Sequence, residues 1–149
     1  MIPLLLVAAL LALAAEPTPA PPAEGLVRVG TLVYADGRTS VCFSAGFLDD
    51  VARQTDANIH RALVPVELGS DAIFDFPLLI MSGEGAFTLP EEQRARLREY
   101  ITRGGFFVAS AGCSNADWAD SFTAEMHAMF GDASLAPLPG DHPLFATLY

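Results

Sequence analysis

Positive charge is scarce in this sequence. It has 8 Lys and Arg residues against 18 Asp and Glu residues, so its formal net charge is −10 at pH 7. The basic residues are scattered along the chain, and several of them stand beside an acidic residue. Binding to nucleic acid requires a basic surface, and so does docking to anionic lipid headgroups. The composition therefore argues against both kinds of partner, and the acidity favours solubility.

A hydrophobic run long enough to cross a bilayer is also missing. Leu4 to Ala15 is an unbroken apolar run of twelve residues. A helix of that length spans about 18 Å, whereas a bilayer core is about 30 Å thick. The run ends in the small-residue pattern Ala12-Leu13-Ala14, which predicts a secretory signal peptide over residues 1–15. We therefore expect export to the periplasm or the extracellular space and no integral membrane segment after cleavage. An uncleaved anchor is the alternative.

Proline is concentrated directly after this run. Four prolines lie between Glu16 and Glu24, and such a segment favours extended polyproline II rather than a packed core. We therefore predict a linker over residues 16–25 and a single α/β domain over residues 26–149. A chain of this length buries enough surface for one core without help from disulfides or a metal.

Cysteine and histidine are too few and too scattered to predict a metal site. The three histidines are His60, His127 and His142, and the two cysteines are Cys42 and Cys113. They share no spacing typical of metal ligands. The sequence therefore predicts neither a metal nor a cofactor.

Strand and helix patterns alternate along residues 26–149. The predicted strands cover residues 26–35, 62–68, 76–82 and 106–109, and the predicted helices cover residues 47–55, 88–103 and 117–130. Pro65 places the second strand at a sheet edge, because proline donates no ladder hydrogen bond. The continuous apolar run of the third strand is typical of a central parallel strand. The alternation predicts an α/β three-layer sandwich with a mostly parallel, doubly wound sheet.

Three loops should meet at the carboxyl edge of this sheet, where open parallel sheets bind ligands. They are Tyr34–Ser44, Ser82–Ala86 and Ser110–Asn115. The candidate ligand-binding residues in them are Asp36, Ser82, Gly83, Glu84, Gly85, Ser110, Ser114 and Asn115. The Gly83-Glu84-Gly85 segment allows close backbone approach to a ligand. Its spacing matches neither dinucleotide-binding nor P-loop patterns, and Glu84 would repel a phosphate. A tight turn without a ligand is the alternative.

Cys113 is the candidate nucleophile, because a cysteine between a strand and a helix resembles the nucleophile elbow. The second glycine of that motif is absent. His142 is the candidate base. Two other interpretations remain open for Cys113, namely a disulfide with Cys42, which is predicted at the same sheet edge, and a buried free thiol.

Several segments occur in an order that resembles a known family. They are Phe74-Asp-Phe-Pro-Leu-Leu-Ile-Met-Ser-Gly-Glu-Gly-Ala-Phe-Thr-Leu-Pro-Glu-Glu, Leu97-Arg-Glu-Tyr-Ile-Thr-Arg-Gly-Gly-Phe-Phe, then Cys113, Phe122, Met126 and Phe130, then Leu138-Pro-Gly-Asp-His-Pro-Leu-Phe. Their order and spacing resemble the bacterial family called domain of unknown function 4159, over residues 27–149.

The resemblance implies a fold similar to class I glutamine amidotransferases and flavodoxin-like sheets. It also implies an exported or membrane-associated protein with a role in the cell envelope. Two departures are visible. The family usually has Gly-His-Gly where this chain has Glu84 between its glycines, and relatives commonly continue beyond the position of Tyr149. We therefore expect a divergent or truncated copy whose sheet has an open edge.

The leading hypothesis is an exported, non-catalytic α/β domain that binds a small ligand or an envelope protein through the carboxyl edge of its sheet. The alternative is a cysteine-dependent hydrolase or amidotransferase-like enzyme. It would use Cys113 as nucleophile, His142 as base and Gly83 to Gly85 as oxyanion donors.

Overall fold

The computed structural model describes residues 25–38 and 46–146. Within these ranges the regular elements, in chain order, are β1 (Val29–Val33), α1 (Phe47–Gln54), β2 (Val64–Glu67), β3 (Leu78–Gly83), α2 (Glu91–Thr102), β4 (Phe106–Ala111) and α3 (Ala116–Phe130). Short 3-10 turns lie at Asp71–Asp75, Gly112–Ser114 and Pro143–Ala146. The predicted signal peptide and all of the predicted linker except Gly25 lie outside the described residues.

The four strands form one parallel sheet in the order β2-β1-β3-β4. The predicted α/β class is confirmed, and the order is the flavodoxin-like one. Pro65 lies in the edge strand β2 and the apolar run lies in the interior strand β3, as predicted. After β1 the chain continues to β2 on one side of β1, and after β3 it continues to β4 on the opposite side of the sheet. The doubly wound sheet therefore has its topological switch point between β1 and β3.

The larger core fills the face of the sheet that α2 and α3 cover. Strand residues such as Leu32, Leu79 and Met81 pack there against helix residues such as Leu97 and Trp118, and all five are at most 2% exposed. Burying a large apolar side chain contributes roughly 1.5–3 kcal/mol. This face therefore supplies most of the hydrophobic stabilisation.

The opposite face has a thinner covering. Leu48 of α1 packs against Val29 and Ile80, and these three are the fully buried members of that cluster. On β4, Phe106 belongs to this face by strand alternation and is 54% exposed. Among residues 25–38 and 46–146, the third layer is thus a single short helix that leaves the β4 end of the face open. No helix in the described part of the chain is both long enough and apolar enough to cross a membrane.

Helix α2 begins later than the sequence predicts. The pattern predicts a helix from residue 88, but the helix starts at Glu91 with Pro90 at the N-cap position and no side-chain cap. The preceding loop is instead held by α3. Phe87 donates its N–H to Ser121 Oγ at 3.1 Å, and the buried Leu89 N–H goes to Glu125 at 2.9 Å. Tertiary hydrogen bonds from this loop to α3 thus take the place of a local side-chain cap.

Candidate functional site

The three predicted loops meet at the carboxyl edge, as far as the described residues show them. Arg38 Nη1, after β1, donates to the carbonyl of Glu84, after β3, at 2.7 Å. The N–H of Gly85 donates to Asn115 Oδ1, after β4, at 3.0 Å. These two bonds tie the loops into one surface over strands β1, β3 and β4.

A buried tyrosine supports this surface from below. Tyr34 Oη donates to the Ser82 carbonyl at 3.0 Å and accepts from Trp118 Nε1 at 2.6 Å. Burial raises the pKa of Tyr34, and the Trp118 hydrogen bond and the charge of Arg38 offset only part of that rise. Tyr34 therefore stays protonated at neutral pH and acts as a brace between β1, β3 and α3.

Gly83 is required by the same brace. A Cβ built there would overlap the Tyr34 hydroxyl and would lie 2.8 Å from Trp118 Nε1. Gly112, after β4, is equally confined, because its Cβ would lie 2.8 Å from the Gly83 carbonyl oxygen. Packing against the Tyr34 and Trp118 side chains explains Gly83, and close approach to the β3 backbone explains Gly112, so neither glycine requires a ligand.

The loop after β1 is a tight turn from Tyr34 to Arg38, closed by backbone hydrogen bonds in both directions. Ala35 has φ 49° and Gly37 has φ 80°, and Gln93 accepts the Ala35 N–H at 2.8 Å. The turn presents Asp36 and Arg38 at the surface. Asp36 is among the predicted ligand-binding residues, whereas Arg38 is not. The sequence did distinguish Arg38, since it is the only basic residue in the three predicted loops.

A cleft of about 340 Å³ opens beside this turn at the switch point. It is lined by Ala35, Asp36, Arg38, Ala86, Phe87 and Thr88. A larger groove, of about 600 Å³, lies between α2 and α3 and includes Arg94 and Arg98 in its lining. We regard the smaller cleft as the candidate site, because it lies where parallel sheets bind ligands and carries loop residues of both charges.

Asp36 is the one predicted ligand-binding residue that lines this cleft, and the other seven are not part of its lining. Ser82 is 1% exposed, whereas Glu84, Ser110 and Ser114 are exposed. Gly85 has φ 71°, which suits glycine. Asn115 has a structural task, since its Oδ1 accepts from Trp118 N at 2.9 Å as the N-cap of α3 and also from Gly85. Their roles in binding stay predictions.

Cys113 lies on a sharp turn between β4 and α3. Its backbone is left-handed, with φ 48° and ψ 33°, and Ser114 follows with φ 57°. Such conformations cost about 1–3 kcal/mol per non-glycine residue and often occur at functional sites. The side chain is exposed, so the interpretation as a buried thiol is wrong. The turn directs the residue out of the core. The disulfide interpretation stays a prediction, because Cys42 lies outside the described residues.

His142 is the last residue of the turn Pro139–His142. Its N–H donates to the Pro139 carbonyl at 3.0 Å, and its Nδ1 accepts from the Leu144 N–H at 3.2 Å. A neutral imidazole that accepts at Nδ1 carries its proton on Nε2. In this arrangement His142 has no basic nitrogen left to offer Cys113. The predicted pair of Cys113 and His142 therefore requires this turn to rearrange.

Within the described residues, no group of three or more His, Cys, Asp or Glu side chains could hold a metal ion.

A family model described as Domain of unknown function (DUF4159) matches residues 28–149, a range that contains all four strands of the sheet. No curated protein matches the chain.

Proposed function

We propose a binding function for this chain, which belongs to the DUF4159 family of domains of unknown function. In this proposal it is an exported, non-catalytic α/β domain that holds a small polar ligand in the cleft beside Asp36 and Arg38. Export rests on the apolar run from Leu4 to Ala15 and the proline-rich segment after it. Cell fractionation with intact-mass analysis checks export, and a full-length protein in the cytoplasm would contradict it.

The observation that carries the binding proposal is the pair of opposite charges on the wall of the switch-point cleft. Its volume of about 340 Å³ is at the lower end of ligand pockets, which span roughly 300–1,000 Å³. Arg38 uses one N–H donor for the Glu84 carbonyl, and a guanidinium has five N–H donors. Among the described residues, no carboxylate forms an ion pair with Arg38. Its remaining donors are available to an anionic or carbonyl group of a ligand.

The charges around the cleft also limit the ligand class. Asp36 lines it, Glu84 is exposed in the adjacent loop, and the whole chain carries a net charge of −10. A multiply charged anion such as a phosphate would be repelled by that field. A small zwitterion, with a carboxylate for Arg38 and an ammonium for Asp36, fits both signs. We therefore propose a free amino acid or a molecule of similar size and charge.

An NMR titration of the ¹⁵N-labelled protein with a mixture of free L-amino acids tests this proposal. We expect amide shifts at residues 35–38 and 86–88, and R38Q should weaken binding at least about tenfold, since a charged hydrogen bond contributes about 1.5–3 kcal/mol. R98Q is the matched control, because Arg98 is exposed and lines the α2–α3 groove instead. Shifts at that groove, equal losses in both variants, or no shifts at all would overturn the proposal.

A cysteine-dependent hydrolase or amidotransferase-like enzyme is the second candidate function. The left-handed, exposed Cys113 at the start of α3 favours it, as does the resemblance to class I glutamine amidotransferases. In this scheme the Cys113 sulfur attacks a carbonyl carbon, and backbone N–H groups near Gly83 to Gly85 stabilise the resulting oxyanion. Two features weigh against it. Gly85 N–H already donates to Asn115, and His142 Nδ1 is occupied.

The alkylation rate of Cys113 at pH 6 separates the two functions. The measurement uses iodoacetamide and a C42S variant, so that Cys113 is the only thiol in the chain. If the protein is a binding domain, Cys113 should react no faster than a small model thiol. A rate at least about tenfold above the model thiol would indicate an activated nucleophile and favour the enzyme.

A further inference from the structure

We infer that the switch-point cleft binds the carboxyl end of a short, extended peptide and recognises the main chain of that peptide. This inference rests on the proposed function, because it concerns the same cleft and names its ligand more closely. The peptide carboxylate binds Arg38, and the peptide backbone pairs with residues 86–88.

The loop between β3 and α2 is held to α3 by every second backbone N–H. The N–H groups of Gly85, Phe87 and Leu89 donate to side chains of α3 at 3.0, 3.1 and 2.9 Å. Burial alternates in the same way. Phe87 and Leu89 are buried, whereas Ala86 and Thr88 are exposed. A period of two is that of an extended chain, so residues 85–89 form an extended segment that runs beside α3.

The main-chain groups of Ala86 and Thr88 point away from α3. In an extended chain the N–H and C=O groups of one residue lie on one side, and those of the next residue lie on the other. Both residues also line the cleft. Among residues 25–38 and 46–146, no hydrogen bond is formed by the N–H or C=O of either residue. The cleft thus has a wall of unpaired backbone donors and acceptors, which an extended peptide can pair with.

Arg38 sets the direction of the peptide. Its Nη1 donates to the Glu84 carbonyl at 2.7 Å and lies 3.4 Å from the position that a Cβ would take at Gly85. The guanidinium therefore lies at the amino end of the extended segment. A peptide whose carboxylate binds there runs back toward Thr88, antiparallel to the segment. The net charge of −10 disfavours acidic side chains in this peptide.

The extended segment is anchored without help from a ligand. The Phe87 ring packs edge-on against Tyr34, with ring centroids 5.2 Å apart, and its centroid lies 5.6 Å from that of Trp118. These two partners are joined by the hydrogen bond that braces the site from below. Binding groups that are already ordered lose little entropy when a ligand binds. The segment therefore pairs with a peptide in the conformation that it already has.

An NMR titration of the ¹⁵N-labelled protein with trialanine and with free alanine tests the inference. Trialanine is about 10 Å long when extended, so it reaches from the guanidinium along the segment. We expect trialanine to bind at least about tenfold more tightly than alanine. It should shift the amide protons of Ala86 and Thr88 downfield more than those of Phe87 and Leu89, which already bond to α3. Equal affinities for the two ligands would overturn the inference and leave the proposed function standing, whereas binding of neither would overturn both.

Two further changes test whether the backbone is the group that is recognised. Trialanine N-methylated at both peptide bonds keeps its charges but loses two N–H donors, so it should bind the unchanged protein at least about tenfold more weakly. T88P removes an N–H from the cleft wall and should reduce the preference for trialanine about five- to tenfold. Circular dichroism verifies that T88P is folded. R98Q is the control and should keep the preference, because Arg98 lines the α2–α3 groove. Undiminished binding of the methylated peptide would overturn the inference.

Discussion

Replacing Gly83 by alanine should destabilise the domain by about 3 kcal/mol, at the upper end of what overpacking usually costs. The new methyl group would overlap the Tyr34 hydroxyl and lie 2.8 Å from Trp118 Nε1. Neither neighbour can move freely, because Tyr34 is hydrogen-bonded to both the Ser82 carbonyl and Trp118, and both rings are almost completely buried. The substitution therefore either moves β3 or breaks the brace beneath the candidate site.

Chemical denaturation and thermal melting measure this effect, and the loss corresponds to a fall in melting temperature of roughly 10 °C for a domain of this size. G69A is the matched control, because its new Cβ would meet only Gln93 Cγ at 3.8 Å. It should change stability by less than about 0.5 kcal/mol. Equal effects of G83A and G69A would show that β3 does not approach Tyr34 this closely.

A double-mutant cycle of G83A and Y34F tests whether the clash with the Tyr34 hydroxyl causes the loss of stability. Y34F removes the oxygen atom that the Gly83 methyl group would overlap. The combined variant should therefore lose less stability than the sum of the two single losses, by about 1 kcal/mol or more. Strict additivity would assign the loss to backbone strain in β3 instead of to the clash.

The sheet could be predicted from the sequence because each of its signals is local. Pro65 marks an edge wherever the strand lies, and the apolar run of β3 requires cover on both faces. The strand order then follows from short, right-handed connections. Helix α3 was predicted to within one residue of its start for the same reason, since its apolar spacing is set by the helix itself.

The site was harder to predict because its contacts join residues far apart in the chain. Arg38 and Glu84 are 46 residues apart, and Tyr34 and Trp118 are 84 apart. No local pattern distinguishes a tyrosine that braces two strands from one that merely fills the core. Cys113 illustrates a related limit. Its position after a strand was readable, but the left-handed turn that exposes it depends on how closely Gly112 packs against Gly83.

The burial of Glu125 in the core could not be predicted either, because no pattern in α3 indicates a buried carboxylate. Glu125 is 6% exposed between the apolar residues of the helix. Its Oε1 accepts the Leu89 N–H at 2.9 Å, and its Oε2 accepts from Arg94 Nε at 2.8 Å. The hydrogen bond to Glu125 is the main cause that raises the pKa of Arg94. One carboxylate thus joins α3, α2 and the loop before α2.

E125A should therefore cost about 3 kcal/mol, because it leaves a buried N–H without an acceptor and Arg94 without its buried partner. E125Q should cost about half as much, since the amide oxygen still accepts one of the two bonds. Equilibrium unfolding in urea at pH 7 measures both variants.

E91A is the control that separates burial from charge. Glu91 pairs with the same arginine at 2.6 Å, but its side chain is 84% exposed. Solvent-exposed ion pairs typically contribute about 0–1 kcal/mol, so E91A should lose no more than about 0.5 kcal/mol. Added salt should reduce that small loss and leave the E125A loss nearly unchanged, because buried pairs are screened far less. Similar losses from E91A and E125A would mean that the carboxylate of Glu125 is hydrated and does not connect the two helices.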